Sequence, residues 1–264
     1  MNGIDQLAHC SPLKYIHPGE KLLMTISTLL MVISLNSVIL SGLVLFFMTY
    51  LLLVKGRVRG SFYLAIMGIP LGFILLAGLT IAISLGAEPA AYLYYLEFGT
   101  IRLGVTPLSL SQSGMVMVKS LAAISCLYFL ALTTPMTQLI YIFRKMKLPP
   151  VFIDLMTVIY SYIFLLFQTA SEIYVAQLSR GGYRGFRGTM KSLAMLCSNL
   201  LLKSLKASED AYNCLASRGF DGHFEVIEET YQLKKINLLA IALWNVFLLL
   251  LVYTGRYFTC LQIL

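Results

Sequence analysis

Long apolar runs separated by short polar breaks dominate the chain, and their lengths define its elements. Leu22–Leu35 and Val38–Val54 are two hydrophobic helices joined at Asn36-Ser37, a break so short that they must form an antiparallel hairpin. The first is short for a hydrocarbon core about 30 Å thick, which takes roughly 20 helical residues to cross. Phe62–Leu85 is a third span that contains Pro70, tolerated in a membrane helix where neighbouring groups satisfy the freed carbonyl. The segment from 87 to 112 holds Glu88, Glu97, Arg102 and the tyrosines Tyr92, Tyr94 and Tyr95, which predicts an external loop with an interfacial aromatic belt. Met115–Leu132 returns as a fourth span whose Lys119 must snorkel to the headgroups or find a partner. Ile236–Tyr253 is the last span.

Charge orients these spans. Lys55, Arg57 and Arg59 follow the second span, and the bias of Lys and Arg toward the cytoplasm puts that loop, and with it the N-terminus, inside. Val151–Phe167 is apolar enough to cross, carrying only Asp154. If it crossed, Arg180, Arg184, Arg187, Lys191, Lys203, Lys206, Arg218, Lys234 and Lys235 would all lie outside, against the positive-inside rule. The region 135–235 is therefore expected to stay cytoplasmic or dip into the inner leaflet. Lys147-Leu148-Pro149-Pro150 and the glycine run from Gly181 to Gly188 divide it into three helices. In the third, Leu193, Leu196, Cys197, Leu200, Ala207, Ala211 and Leu215 share one face. Its Ser204, Ala207, Ser208 and Ala211 would let another helix cross closely. Asp154 near a helix start fits a cap or dipole partner better than a proton carrier. The expected architecture is an all-α integral membrane protein with about five transmembrane helices plus long amphipathic cytoplasmic helices. Residues 1–134 form an N-terminal transmembrane region of four helices, 135–235 the cytoplasmic helical region and 236–264 a C-terminal transmembrane helix.

Composition narrows the class. The 264 residues are 58% hydrophobic and 12% charged with a mean hydropathy of +0.80, about half the charge content of soluble domains, which excludes an ordinary water-soluble enzyme. The net charge of +8 belongs to the cytoplasmic face and is no nucleic-acid surface. The first 20 residues, with Asp5, His9, Lys14, His17 and Glu20, are too polar for a cleaved signal peptide, so the N-terminus should be retained. Cys10, Cys126, Cys197, Cys214 and Cys260 form no tight pair and point to neither a disulfide framework nor a zinc site.

One short pattern occurs twice: Ser179-Arg180-Gly181 after Ala176-Gln177-Leu178, and Ser217-Arg218-Gly219 after Cys214-Leu215-Ala216. Each sits at a predicted helix C-terminus, where glycine supplies the left-handed turn and arginine complements the helix dipole. One copy needs no more explanation than that. Two copies also offer two planar guanidinium groups on projecting tips, with glycine allowing close backbone approach. Such a chain suits a partner with two similar grooves, such as a dimer of cytoplasmic subunits.

These tripeptides, with Glu172 before the first and Glu209-Asp210 before the second, resemble the paired Ala-Arg-Gly motifs of the T component of energy-coupling factor (ECF) transporters. Ile4-Asp5 to Ser11-Pro12-Leu13, then His17-Pro18 to Lys21-Leu22, is similar to the start of the cobalt-transport Q subunit family, CbiQ. The resemblance implies a non-enzymatic membrane scaffold whose cytoplasmic coupling helices seat Arg180 and Arg218 in two ABC-type ATPases. It also implies transmission of ATP-driven closure to a membrane-embedded, metal-binding S component, for cobalt or nickel uptake. Serine for alanine in both motifs is a small-for-small departure. The family's arginine before the first motif is replaced by an aromatic around Tyr162, and nothing is carried over there.

No cofactor is implied. The chain lacks a GxxxxGK[ST] phosphate loop, so ATP hydrolysis would belong to another subunit. His9, His17, His223 and Cys10 match no tight ligand spacing, which speaks against a metal site. Arg180, Arg184 and Arg187 would also suit anionic membrane lipids. Competing readings are a T component shared among vitamin-binding S components, a stand-alone channel or secondary carrier with Lys119 or Glu88 on its path, and a lipid-modifying enzyme. Matching interrupted helices in two halves and a His/Asp/Glu cluster at one interface, which the last two would require, are absent from the sequence.

Overall fold

The computed structural model describes residues 11–85, 94–98, 101–220 and 235–261. In chain order the helices are α1 (Pro18–Ser34), α2 (Val38–Tyr50), α3 (Gly60–Ala82), α4 (Pro107–Thr133), α5 (Met136–Lys145), α6 (Pro150–Ser179), α7 (Gly185–Ser217) and α8 (Lys235–Leu261). Three short strands, β1 (Ile83–Leu85), β2 (Tyr94–Phe98) and β3 (Ile101–Val105), lie between α3 and α4. The chain divides into two compact units, one of residues 136–229 and one formed by 2–135 with 230–264.

In the second of these, the helix starts follow from local sequence. His17 caps α1, its Nδ1 accepting from Gly19 N at 3.0 Å, with Pro18 preset for the first helical position. Thr106 and Ser109 form a reciprocal capping box at the start of α4, again followed by proline. α4 is the wall against which α1, α2 and α3 pack, and Val32, Val44, Met48, Ala122 and Cys126 are buried in the resulting core. Between helices in lipid there is little hydrophobic driving force, so close packing and interhelical hydrogen bonds must hold such a bundle. Gly78 of α3 supplies the close approach: a Cβ there would lie 2.7 Å from Met117 Sδ of α4. At the same contact Ser113 Oγ donates to Gly78 O at 2.7 Å.

Freed carbonyls are met one by one. Pro70 has no N–H to give to Ile66 O, and the Tyr128 hydroxyl of α4 donates to that oxygen at 3.2 Å. Lys119 reaches the end of α1, where its Nζ donates to Ile33 O at 2.6 Å and to Asn36 Oδ1 at 2.9 Å. Of the two fates expected for this lysine, the structure selects a partner rather than the headgroups. Lys21 Nζ donates to Thr133 O at the end of α4 (2.9 Å), and Ser109 Oγ to Ala82 O at the end of α3 (2.8 Å). α8 joins through Asn237 Nδ2 to Glu20 Oε2 at 2.8 Å, Asn245 Nδ2 to Ser27 Oγ at 3.1 Å, and the Trp244 ring stacked on Phe47.

The all-α membrane architecture holds, with corrections of detail. The third span ends at Ala82 instead of Leu85, and the fourth helix begins at Pro107, well before Met115. Part of the expected loop is a small antiparallel sheet of order β1-β3-β2, with Phe98 opposite Ile101 and Ile83 opposite Val105. Alternating branched and aromatic residues in 94–105 favour strands over loop. Among the described residues five helical segments are long and apolar enough to cross a membrane: Val38–Lys55, Gly60–Ala82, Pro107–Thr133, Pro150–Ser179 and Lys235–Tyr253. α1, expected as a span, has 17 residues and falls just short of that set, whereas α6 enters it. Asp154 does not cap α6: the capping position is Pro149, and the first turn holds no acid.

Because Tyr128 serves a carbonyl that only the proline sets free, the two should be energetically coupled. Tyr128→Phe should cost about 1–2 kcal/mol in the wild-type background and distinctly less in Pro70→Ala, where the restored backbone N–H meets Ile66 O. A double-mutant cycle of unfolding in detergent micelles checks this, and equal costs in both backgrounds would refute the coupling.

Candidate functional site: two arginine-bearing helix tips

Within residues 136–229, α6 and α7 form an antiparallel hairpin. The Tyr162 hydroxyl of α6 donates to Ala207 O of α7 at 3.3 Å, so the small residues expected to admit a crossing helix receive Tyr162. The repeated tripeptides fall at the C-termini of α6 and α7.

Their backbones adopt one geometry. At the first tip Arg180 is the C-cap (φ −86°, ψ 5°), Gly181 is left-handed (φ 71°), Gly181 N donates to Leu178 O at 3.0 Å and Gly182 N to Gln177 O at 2.9 Å. At the second Arg218 is the C-cap (φ −93°, ψ 6°), Gly219 is left-handed (φ 75°), Gly219 N donates to Ala216 O and Phe220 N to Leu215 O, both at 3.1 Å. This paired 5→2 and 6→1 bonding is the Schellman motif. The serines match as well: Ser179 Oγ donates to Ala176 O at 3.0 Å and Ser217 Oγ to Cys214 O at 2.9 Å. Each hydroxyl is thus turned back onto its own helix. Glycine completes the cap through the backbone, which leaves the guanidinium group out of that task. Ser179, Arg180, Ser217, Arg218 and Gly219 are exposed and Gly181 is half-buried.

The first tip is braced against the start of α7. Ser192 Oγ donates to Gly182 O at 2.7 Å, and the Tyr183 hydroxyl donates to Gln177 Oε1 at 2.8 Å. A Cβ on Gly182 would lie 2.6 Å from Ser192 Oγ and 3.1 Å from Gln177 O, so the brace needs glycine there. Partial desolvation, and then Tyr174 beside it, push the Tyr183 phenol above its ordinary range, keeping it a neutral donor. Gln177, Tyr183 and Ser192 were not singled out by the sequence pattern; the signal that could have found them is the density of glycine in 181–188.

The tips do not converge. The first immediately precedes α7 and the second ends it, and α7 has 33 residues, so they stand about 50 Å apart along one helix. No single groove can hold both. Among the described residues no group of three or more His, Cys, Asp and Glu side chains is arranged to bind a metal. His17 serves as a helix cap, and His9, Cys10 and His223 lie outside the described residues.

A multi-pass helical membrane protein with two matched arginine tips at the ends of one long helix is built for attachment, and comparison with known proteins gives the family. The model of the cobalt transport protein family CbiQ matches residues 9–230. An uncharacterized protein of Methanocaldococcus jannaschii is 31% identical over 98% of this chain and 95% of its own. A chain of Methanocorpusculum labreanum named as a fused cobalt transport protein CbiMQ is 31% identical over 91% of this chain but only 40% of its own. The cobalt transport protein CbiQ of Salmonella typhimurium is 26% identical over 86% of this chain and all of its own. The chain belongs to the CbiQ family of cobalt transport proteins.

The left-handed glycines give a local test. A left-handed turn costs a β-branched residue roughly 1–2 kcal/mol or more, so Gly181→Val or Gly219→Val should fray the preceding helix turn, while asparagine, which tolerates this region, should largely preserve it. Amide hydrogen exchange at Gly181 and Gly182, or at Gly219 and Phe220, reads the effect; unchanged protection in the valine variants would contradict the motif assignment.

Proposed function

We propose that this protein is the T component of an ECF-type ABC importer for cobalt or nickel, a non-catalytic scaffold coupling two ATPase subunits to a metal-binding S component. The observation that carries this reading is the pair of superposable Ser-Arg-Gly caps about 50 Å apart on one helix. A separation of that size requires two separate receptors, and identical local geometry favours receptors of the same kind, as two ATPase subunits provide. The names of the Salmonella and Methanocorpusculum relatives support cobalt as cargo. The fused relative, much of whose length lies outside the match, supports association with a further transport component.

In this reading Arg180 and Arg218 dock in the ATPases, and the guanidinium forks find acceptors there. Movement of the ATPases toward each other shifts the two tips and changes the crossing of α6 and α7. The apolar residues left exposed on these helices, such as Phe152, Leu155, Phe186 and Leu202, face the inner leaflet and the S component. Nine basic residues between 180 and 235 place the tips on the cytoplasmic side by the positive-inside rule.

Arg180→Glu combined with Arg218→Glu should abolish co-purification of the ATPases with the full chain while leaving its membrane insertion unchanged. Stoichiometric recovery of both ATPases would count against the proposal. Sidedness has its own reporter in exposed Cys214, three residues before Ser217. With the other cysteines replaced by serine, an impermeant thiol reagent should reach it in inside-out vesicles and fail to reach it in intact cells. Labelling in intact cells would place the tips outside and end the model.

A further inference from the structure

A cavity of about 200 Å³ lies between α1, α2, α4 and α8, away from the tips. At its polar end stand Glu20 and Lys21 of α1, Asn237 of α8 and Lys55, which closes the turn extending α2. Deeper in, Phe47, Phe129 and Trp244 line it. Phe47 precedes Lys55 by about two turns of helix, roughly 12 Å, so the cavity runs from the charged end of the second span into the apolar depth of the bundle. Its polar end is the one that also carries Arg57 and Arg59.

Two observations point to an occupant. Trp244 Nε1 is buried and has no hydrogen-bond acceptor among the described residues, although the ring is held in place by stacking on Phe47 with centroids 3.7 Å apart. A buried indole N–H without an acceptor is costly, and in a membrane interior few acceptors can reach it. The polar end carries two cations against one carboxylate, and that carboxylate already accepts from Asn237 at 2.8 Å. Lys55 is exposed at the mouth.

We propose that the cavity binds one anionic phospholipid, with its phosphate at Lys55, an acyl-ester carbonyl accepting from Trp244 Nε1 and the first part of one chain against Phe47 and Phe129. A phospholipid joins these features in one molecule: negative charge at headgroup depth, a carbonyl acceptor below it and hydrocarbon beneath that. This site is independent of the proposed coupling role and would stand if that role failed.

Trp244 is the sole tryptophan of the chain, so its fluorescence reports the cavity directly. The full chain reconstituted in phosphatidylcholine nanodiscs is titrated with phosphatidylglycerol brominated on its acyl chains, and separately with equally brominated phosphatidylcholine. Saturable quenching by phosphatidylglycerol at a mole fraction at least tenfold below that needed for phosphatidylcholine is expected. Lys55→Gln should remove most of that preference while leaving the unquenched emission spectrum unchanged. As a second readout, Trp244→Phe should lower the fraction of purified protein that retains phosphatidylglycerol in native mass spectrometry severalfold. Equal quenching by the two lipids, or a preference undiminished in Lys55→Gln, would overturn the proposal.

Discussion

Carbonyl oxygens that a helix cannot satisfy for itself govern much of this structure. Hydrocarbon offers such groups no donor, so each must be met from within the protein. Tyr128 answers the oxygen that Pro70 releases, Lys119 answers the end of α1, Lys21 the end of α4 and Ser109 the end of α3. Three of these four donors lie on α4. That helix is therefore central for chemical as well as steric reasons: it buries the shared core and also carries donors to its neighbours' exposed backbone.

The same requirement is solved differently at the ends of α6 and α7. There the backbone turns through a left-handed glycine and closes on itself. A lysine or arginine is often recruited to the last carbonyls of a helix; with glycine in that role, Arg180 and Arg218 keep their donors available. The serine before each arginine bonds inward and so presents a small apolar outline, which accounts physically for its standing where the resembling motifs have alanine. The two tips differ in what surrounds them, since Ser192 and Tyr183 brace the first.

The helices were legible in the sequence because their signals are local: apolar runs of spanning length, prolines at helix starts and glycines at helix ends. The repeated tripeptide was legible for the same reason, and the structure gives its two copies one geometry. What stayed hidden depended on distant partners. Nothing near Lys119 announces Asn36, and nothing near Pro70 announces Tyr128, since each pair is joined only by the packing of α4. The strands at 94–105 were missed although their alternation was visible, because tyrosines between membrane spans also fit an interfacial belt. The sequence weighed Val151–Phe167 by charge, whereas length and hydropathy alone admit α6 as a span. Those two criteria measure different things, cost of orientation and cost of burial.

α7 runs for 33 residues without an internal proline, its glycines confined to the first turn. Such a rod resists bending, so force applied at one end is delivered at the other as rotation with little lost to flexing. By simple geometry a sideways step of about 5 Å at one end of a 50 Å rod is a swing of roughly 6°. Whatever holds the two ends of this helix therefore sets the angle of everything resting along it.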